Sequence, residues 1–188
     1  MLKLFCFDVS TLSEEEFIAL YQNNDRQRQM KADRLQKEPD KKLSLAAGML
    51  ARVGISRHLD IPPQEISFRR GKNGKPYAVG LDIHFSISHS GTLAVCAISD
   101  KPVGIDVEQL KKVHLKVARR CFTEQEQAYV FQKKGSPQEK FFEIWTKKEA
   151  YVKMMGMGVS DFLSFDVMKN EKIRTIHYED YIISIAEQ

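Results

Sequence analysis

Strand-like and helix-like segments follow one another in the same order twice along the chain, and this order limits the folds it can adopt. The apolar segment from Leu2 to Val9 predicts a strand, and a mainly apolar stripe from about Lys41 to His58 predicts a helix. Two strands, Ile83–Ser88 and Leu93–Ile98, are expected to form a hairpin across Ser90-Gly91. The first half is therefore predicted to pack helices against a small antiparallel sheet.

The second half repeats this order, although no residue-level repeat is obvious. Val103 to Glu108 predicts its opening strand, and helices and then strands follow. The helices are expected at Val113–Cys121, Thr123–Gln132 and Pro137–Met155, and the strands at Phe162–Met168, Ile173–Tyr178 and Tyr181–Ala186. We therefore expect an α+β fold of two similar subdomains, residues 1–101 and 102–188, with a ligand cleft between them.

Shorter elements complete the first half. A capping box predicts a helix over Ser13–Gln22, and a further helix is expected over about Asp25–Gln36. A short strand is expected at Ile66–Phe68 and a turn at Gly71–Pro76.

Composition excludes several classes of protein. The chain has 188 residues, of which 43% are hydrophobic, which is enough for a core. Its apolar runs, such as Leu93–Ile98, are far shorter than the roughly 20 residues that span a bilayer. Cys6, Cys96 and Cys121 are widely separated and lack metal-ligand spacing, so neither a disulfide scaffold nor a zinc site is expected. We expect a cytoplasmic protein that does not bind membranes.

The basic residues predict contact with anions, such as nucleotides or acidic proteins, but argue against a nucleic-acid-binding protein. The net charge is +4, and basic side chains cluster between Arg26 and Lys42. That segment has no aromatic residues interleaved with its charges, as a nucleic-acid platform would. The simplest alternative is that these residues are solvated faces of helices.

Two acids lie on one face of a predicted strand. Asp106 and Glu108 alternate with Val107, which is expected to face the core. On the predicted helix that follows, Glu149 and Lys153 share a face with Trp145. Three carboxylates with a nearby cation would suit Mg²⁺ and a diphosphate, because hard cations prefer oxygen ligands. The alternative is an edge strand with solvent-facing acids and an ordinary helical ion pair.

Two turns offer further polar groups. Ser86 to Gly91 combines hydroxyls, backbone N–H groups and the imidazole of His89, which would suit a phosphate. Its alternative is a turn whose serines satisfy their own backbone. Lys75, in Gly74-Lys75-Pro76, has no other obvious purpose in its turn.

Five segments together resemble the 4′-phosphopantetheinyl transferases, of the larger Sfp-type class. The resemblance covers residues 74 to about 158, in order and with family-like spacing. The segments are Gly74–Pro76, Phe85–Gly91, Gly104–Glu108, Phe122–Glu126 and Trp145–Lys153. The resemblance implies a pseudo-twofold α+β monomer that binds coenzyme A between its halves.

The resemblance also implies roles for individual residues. Asp106, Glu108 and Glu149 match the family's Mg²⁺ ligands, and Mn²⁺ would accept the same oxygens. Lys153 matches the lysine that contacts the diphosphate and the departing group. The coenzyme contacts are expected from Lys75, Ser88 and His89, with Arg28, Lys31 and either Lys41 or Lys42 near its 3′-phosphate.

The implied reaction is that of a holo-[acyl-carrier-protein] synthase. A serine of an acidic apo acyl or peptidyl carrier protein attacks the phosphorus that bears the pantetheine arm, and adenosine 3′,5′-bisphosphate leaves. Glu149 and Glu126 are rival candidates for the base, although Glu126 also fits a capping box with Thr123. Fatty-acid, polyketide and nonribosomal-peptide carriers all stay open, and an inactive carrier- or nucleotide-binding protein of the same fold is the alternative.

Overall fold

The computed structural model describes residues 1–71, 74–113 and 115–188. The first half contains β1 (Lys3–Asp8), α1 (Glu14–Gln22), α2 (Arg26–Asp33), α3 (Glu38–Leu59), β2 (Phe68–Arg70), β3 (Pro76–Ala78), β4 (His84–Ser90) and β5 (Leu93–Ser99). The second half contains β6 (Val103–Gln109), α4 (Ala118–Cys121), α5 (Glu124–Phe131), α6 (Pro137–Met155), β7 (Ile173–Tyr178) and β8 (Tyr181–Glu187). Short 3₁₀ turns lie at Pro63–Glu65, Leu115–Val117 and Val159–Ser164.

Both halves build a three-stranded antiparallel sheet with the same strand order. The order is β1-β5-β4 in the first sheet and β6-β8-β7 in the second. In each sheet the last strand in the chain, β5 or β8, is central. It pairs with the first strand, β1 or β6, on one side and with the strand that precedes it, β4 or β7, on the other. The predicted α+β fold of two similar units is therefore confirmed, whereas the division between residues 101 and 102 stays a prediction.

The core lies in layers. On one side α3 covers the first sheet, where Ala51 and Ile55 pack with Phe85 and Ile98. On the other side α6 covers the second sheet. Between the sheets, β5 packs against β6 and β8, with Val95 in the same buried cluster as the apolar residues of those strands. The two halves therefore share one continuous interior.

A glycine lets α6 lie directly on β6. The helix begins after the N-cap Ser136 and ends at Gly156, whose φ of 68° few other residues adopt readily. A Cβ atom on Gly104 of β6 would lie 1.9 Å from the carbonyl oxygen of Ala150 in α6. Since no side chain could fit there, Gly104 brings the strand and the helix that carry the candidate acids into contact.

The strand predicted at Phe162–Met168 is wrong. Residues 159–164 form a 3₁₀ turn, and no strand follows before β7 in this fully described part of the chain. The buried ammonium of Lys148 donates to the carbonyl oxygens of Phe162 at 2.5 Å and Phe165 at 2.8 Å. Those carbonyls therefore bond to a lysine instead of to a neighbouring strand.

Other bounds differ locally. The helix predicted at Val113–Cys121 is reduced to a 3₁₀ turn and the short α4, and His114 within it lies outside the described residues. The strand predicted at Ile66–Phe68 starts at Phe68, because the N–H of Ile66 donates to the carbonyl of Pro63 and its carbonyl accepts from Arg52. The turn predicted at Gly71–Pro76 includes residues 72 and 73, which also lie outside the described residues.

The helices and the cysteines bear on membrane crossing and on disulfides. Within the described ranges, no helix combines the length and the apolar character that a membrane span requires. Cys6, Cys96 and Cys121 are free thiols.

Candidate active site

The predicted acids meet where β6 packs on α6. Gly104, Asp106 and Glu108 share one face of β6 because side chains alternate along a strand. The contact of Gly104 with Ala150 shows that this face is turned toward α6. Asp106 is 5% exposed, and Glu108 and Glu149 are half-buried. The strand and the helix thus bring together the three acids that the sequence singled out.

A hydrogen-bonded network joins this face to the other half of the molecule. The Lys153 ammonium lies 2.7 Å from Asp106 Oδ1 and 3.0 Å from Ser88 Oγ, to which it donates. Ser88 Oγ in turn donates to Asp106 Oδ1 at 2.7 Å. Lys153 also donates to the carbonyl of Ile105 at 3.2 Å. The network spans β4, β6 and α6 and therefore fixes the two halves relative to each other at the cleft.

The carboxylates repel one another. Burial raises the pKa of Glu108, and the neighbouring charge of Asp106 raises it further. The pKa of Glu149 is also raised, first by burial and then by the charges of Asp106 and Glu108, with Lys153 opposing. A cation among these acids would be favourable because it would offset both the repulsion and the burial.

The donor set fits a hard divalent cation, although the side chains do not converge on one point. Asp106 Oδ2 is buried without a hydrogen-bond partner, which is unusual for a carboxylate oxygen and suits a metal ligand. Within residues 1–71, 74–113 and 115–188, however, no three His, Cys, Asp or Glu side chains are arranged to hold an ion. Asp106 is paired instead with the ammonium of Lys153. Acids of the right kind are therefore assembled here, and Lys153 supplies their cationic partner.

Lys75 lies where the two halves meet. Its ammonium donates to the carbonyl oxygens of Val103 at 3.0 Å and Lys153 at 2.6 Å. Burial and the charge of Lys153 lower the pKa of Lys75 to about 8. A cavity of about 210 Å³, lined in part by Lys75, Lys153 and Met157, opens at this point. Lys75 is therefore a cation at the wall of the inter-half cleft.

A cationic group lies along the first half of the cleft. Burial and the charge of Arg70 lower the pKa of Arg28, and burial, Arg28 and Arg70 lower that of Lys31. The pKa of His89 is lowered by partial burial and then by Lys31 and Lys153. Asp25 opposes the shift of the pKa of Arg28, and an anion would relieve the repulsion among the cations, so this group is a candidate anion site. The sequence reasoning missed Arg70, although it immediately precedes the turn that carries Lys75.

Gly48 makes room for one of these cations. A Cβ atom on this residue of α3 would lie 2.7 Å from Nε of Arg28 and 2.8 Å from Oδ1 of Asn24. Both distances are shorter than a Cβ atom tolerates, so Arg28 lies against α3 only because residue 48 has no side chain. Gly48 therefore fixes the place of the Arg28 side chain.

Lys42 is directed toward α1. Its ammonium pairs with Glu38 at 2.8 Å and lies 5.5 Å from the ring centroid of Phe17. This placement gives no direct support to a phosphate contact from Lys42, and its pair with Glu38, whose side chain is 64% exposed, is an ordinary surface ion pair.

Glu126 is sealed inside the second half. Its side chain and that of Lys148 are 0% exposed, and they form an ion pair at 3.0 Å. Its carboxylate also accepts from the backbone N–H groups of Thr123 at 2.8 Å and Val167 at 3.0 Å. This geometry supports the capping-box alternative. It does not support a role as a base, since both carboxylate oxygens have partners in the core. The sequence reasoning did not anticipate Lys148 as the partner.

Comparison with known proteins places the whole chain in one group. A family described as the 4′-phosphopantetheinyl transferase superfamily matches residues 102–186, and one described as 4′-phosphopantetheinyl transferase, N-terminal, matches residues 11–101. The 4′-phosphopantetheinyl transferase gsp of Aneurinibacillus migulanus is 36% identical over 179 residues, which are 94% of this chain and 75% of that protein. The 4′-phosphopantetheinyl transferase Sfp of Bacillus subtilis (strain 168) is 33% identical over 151 residues, 79% of this chain and 67% of that protein. For psf-1 of Bacillus pumilus the identity is 37% over 127 residues, 66% of this chain and 54% of the relative. The chain thus matches between about half and three quarters of the length of these relatives.

Proposed function

The chain belongs to the 4′-phosphopantetheinyl transferase superfamily, and on this premise we propose that it transfers the 4′-phosphopantetheine arm of coenzyme A to a serine of a carrier protein. Adenosine 3′,5′-bisphosphate is the other product. The observation that carries the proposal is the network of Ser88, Asp106 and Lys153 across the cleft, flanked by Glu108 and Glu149. It supports a site at which the acids and Lys153 of the second half meet a hydroxyl of the first half.

Asp106, Glu108 and Glu149 would hold a divalent cation, either Mg²⁺ or Mn²⁺. Support comes from the oxygen ligands, from the buried and unpartnered Asp106 Oδ2, and from the mutual repulsion of the acids. When bound, such an ion neutralises diphosphate charge and makes the phosphorus more electrophilic. Lys153, which pairs with Asp106, would also contact a phosphate oxygen of the coenzyme.

The protein's own groups then orient the reaction. The carrier serine oxygen forms a bond to the phosphorus that bears the pantetheine arm, and the bond from that phosphorus to the bisphosphate oxygen breaks. Glu149 would accept the serine proton, since it lies in the acidic group while Glu126 is sealed in the core. Lys153 would stabilise the charge that develops on the departing oxygen. Ser88 and His89 would contact the phosphates from the first half.

Residues 1–101 would bind the nucleotide and residues 102–188 would carry the acids. The grouping of Arg28, Lys31 and Arg70 supports a site for the 3′-phosphate. Lys75 supports the same end of the coenzyme, because it lines the cavity between the halves. Lys42 would join this site only by exchanging Glu38 of its own helix for the phosphate.

The partner and the setting are also proposals. We expect an acidic acyl or peptidyl carrier protein, because the chain has a net charge of +4 and opposite charges favour encounter. Activity of the holo-[acyl-carrier-protein] synthase type, a monomeric state and a cytoplasmic location complete the proposed function.

Mass spectrometry of carriers tests the transfer. The protein is incubated with coenzyme A, Mg²⁺ and a panel of apo carrier proteins from fatty-acid, polyketide and nonribosomal-peptide systems. We expect at least one carrier to gain the mass of a single phosphopantetheine arm at its serine. Binding of coenzyme A without modification of any carrier would support the alternative, an inactive binding protein of the same fold.

Gly48→Ala should raise the KM for coenzyme A by displacing Arg28. The new methyl group displaces the guanidinium, and a lost charge-assisted hydrogen bond costs about 1.5–3 kcal/mol, or roughly 10–100-fold in KM for coenzyme A. Steady-state kinetics would measure KM and kcat for the variant with coenzyme A and with 3′-dephospho-coenzyme A.

A second glycine of α3 provides the control. A Cβ atom on Gly54 would lie 2.3 Å from Ile98 in the core, so Gly54→Ala should lower stability without changing the KM of the folded enzyme. If Gly48→Ala raises the KM for both forms of the coenzyme equally, Arg28 does not contact the 3′-phosphate.

A further inference from the structure

Serine side chains connect the two sheets along the cleft. β4 and β6 are edge strands of different sheets, and among the described residues no backbone ladder joins them. Ser86, Ser88 and Ser90 share one face of β4, opposite Ala97, Val95 and Leu93 in the register with β5. Ser86 Oγ accepts from the N–H of Ile105 at 3.1 Å, and Ser90 Oγ accepts from that of Gln109 at 3.2 Å. These serines satisfy donors on the edge of β6 that no strand pairs with.

Ser90 does more than satisfy the backbone. Its hydroxyl also donates to Glu108 Oε2 at 2.8 Å. The hydroxyl of Ser90 therefore accepts from the N–H of Gln109 and donates to the carboxylate of Glu108. Two bonds from one hydroxyl fix both the backbone and the side chain of that acid.

The other contact of this carboxylate is weaker. Lys111 Nζ lies 3.7 Å from the same oxygen, and its side chain is 64% exposed. An ion pair so long and so exposed contributes little, because water and salt screen it. The orientation of Glu108 thus depends mainly on a residue of the other half of the molecule.

We propose that Ser90 is a positioning residue for the divalent cation, which it serves by orienting Glu108 across the seam between the two sheets. The inference rests on the proposed function, since it takes Glu108 as one of the ligands. Hydrogen-bond partners that orient a metal ligand typically change metal affinity by about 10–100-fold when removed. Removing the Ser90 hydroxyl leaves Glu108 free to rotate, and the binding of the cation must then restrict that rotation.

Ser86 offers a matched control. Ser86→Ala and Ser90→Ala each remove a hydroxyl from the same face of β4 and a bond to a backbone N–H of β6. Only Ser90→Ala also removes a bond to a carboxylate. Each variant loses one bond to a backbone N–H, so a loss of metal affinity found in Ser90→Ala alone reports the orientation of Glu108.

The experiment titrates Mn²⁺ into the full chain with coenzyme A present and follows the free ion by electron paramagnetic resonance. We expect Ser90→Ala to weaken Mn²⁺ binding by about 10–100-fold, Ser90→Thr to restore it, and Ser86→Ala to leave it within about twofold of the wild type. Equal losses in Ser86→Ala and Ser90→Ala, or no rescue by threonine, would overturn the inference.

The outcomes also separate this inference from the proposed function. If the wild type binds no Mn²⁺, both the inference and the metal part of the proposed function are wrong. If Mn²⁺ binds and responds to Ser90 as expected while no carrier is modified, only the proposed transfer is wrong.

Discussion

Glu149→Gln should lower the rate of carrier modification by about 10²–10³-fold and leave the fold intact. The substitution keeps the shape of the side chain but removes one of three charges that together attract a cation, and such electrostatic contributions are worth several kcal/mol in the transition state. It also removes the proposed acceptor of the serine proton. The measurement is single-turnover modification of an apo carrier, with circular dichroism to verify folding.

Glu143→Gln is the matched control for this variant. Glu143 lies on the same helix and is half-buried, but it pairs with Lys147 at 2.8 Å and accepts from Tyr129 at 2.6 Å, away from the acidic group. It should retain wild-type activity. A rate for Glu149→Gln within tenfold of the wild type would remove Glu149 from the proposed chemistry.

Metal binding separates the two roles of Glu149. If Glu149→Gln lowers both the Mn²⁺ affinity and the transfer rate, Glu149 acts as a metal ligand. If the variant binds Mn²⁺ normally but transfers slowly, Glu149 acts as the base.

Lys148→Met should destabilise the protein by about 3–5 kcal/mol. Glu126 and Lys148 are both fully buried, so removing the cation leaves an uncompensated carboxylate in the core. The carbonyls of Phe162 and Phe165 lose their donor as well. Urea denaturation followed by tryptophan fluorescence would measure the change, because Trp145 packs against Phe162.

Two further variants define the cause. Lys147→Met removes the neighbouring lysine, whose pair with Glu143 is partly exposed, and should cost only about 1 kcal/mol. The double variant Glu126→Gln with Lys148→Met should recover part of the loss, because a buried ion pair replaced as a whole is far less harmful than one broken in half. A Lys148→Met cost no larger than that of Lys147→Met would contradict the account.

Elements with local start and stop signals were predicted well. The bounds of α6 agree with the sequence at both ends, since the N-cap Ser136, the following proline and the terminal Gly156 act within a few residues. The bounds of β7 also agree, since polar turn residues, Asn170 before it and Glu179-Asp180 after it, flank the strand. The prediction of a strand at Phe162–Met168 was wrong. The segment is apolar, but the carbonyls of Phe162 and Phe165 accept from Lys148 of α6 and do not pair with a strand.

The candidate site also has features that the sequence predicts and features that depend on tertiary packing. Asp106 and Glu108 on one strand face, and Glu149 with Lys153 on one helix face, follow from the periods of strand and helix. Their meeting depends on Gly104, whose close contact with α6 is a tertiary feature. A capping box explained Glu126 correctly, but its burial beside Lys148 could not be read from spacing alone.

The sequence by itself determined the order of the elements, the face that each acid occupies and the resemblance to a family, because these depend on residues that are close together in the chain. Only the tertiary structure decided that Arg70 joins the cationic group, that the Lys42 ammonium lies beside the ring of Phe17, and that Ser90 holds Glu108. The charge of Arg70 acts on Arg28 and Lys31, and the Ser90 hydroxyl bonds to Glu108, between segments that are separated in the chain. The contact of Lys42 with Phe17 likewise joins two different helices. Which partners side chains find depends on how the helices and sheets pack, and packing is a property of the whole chain.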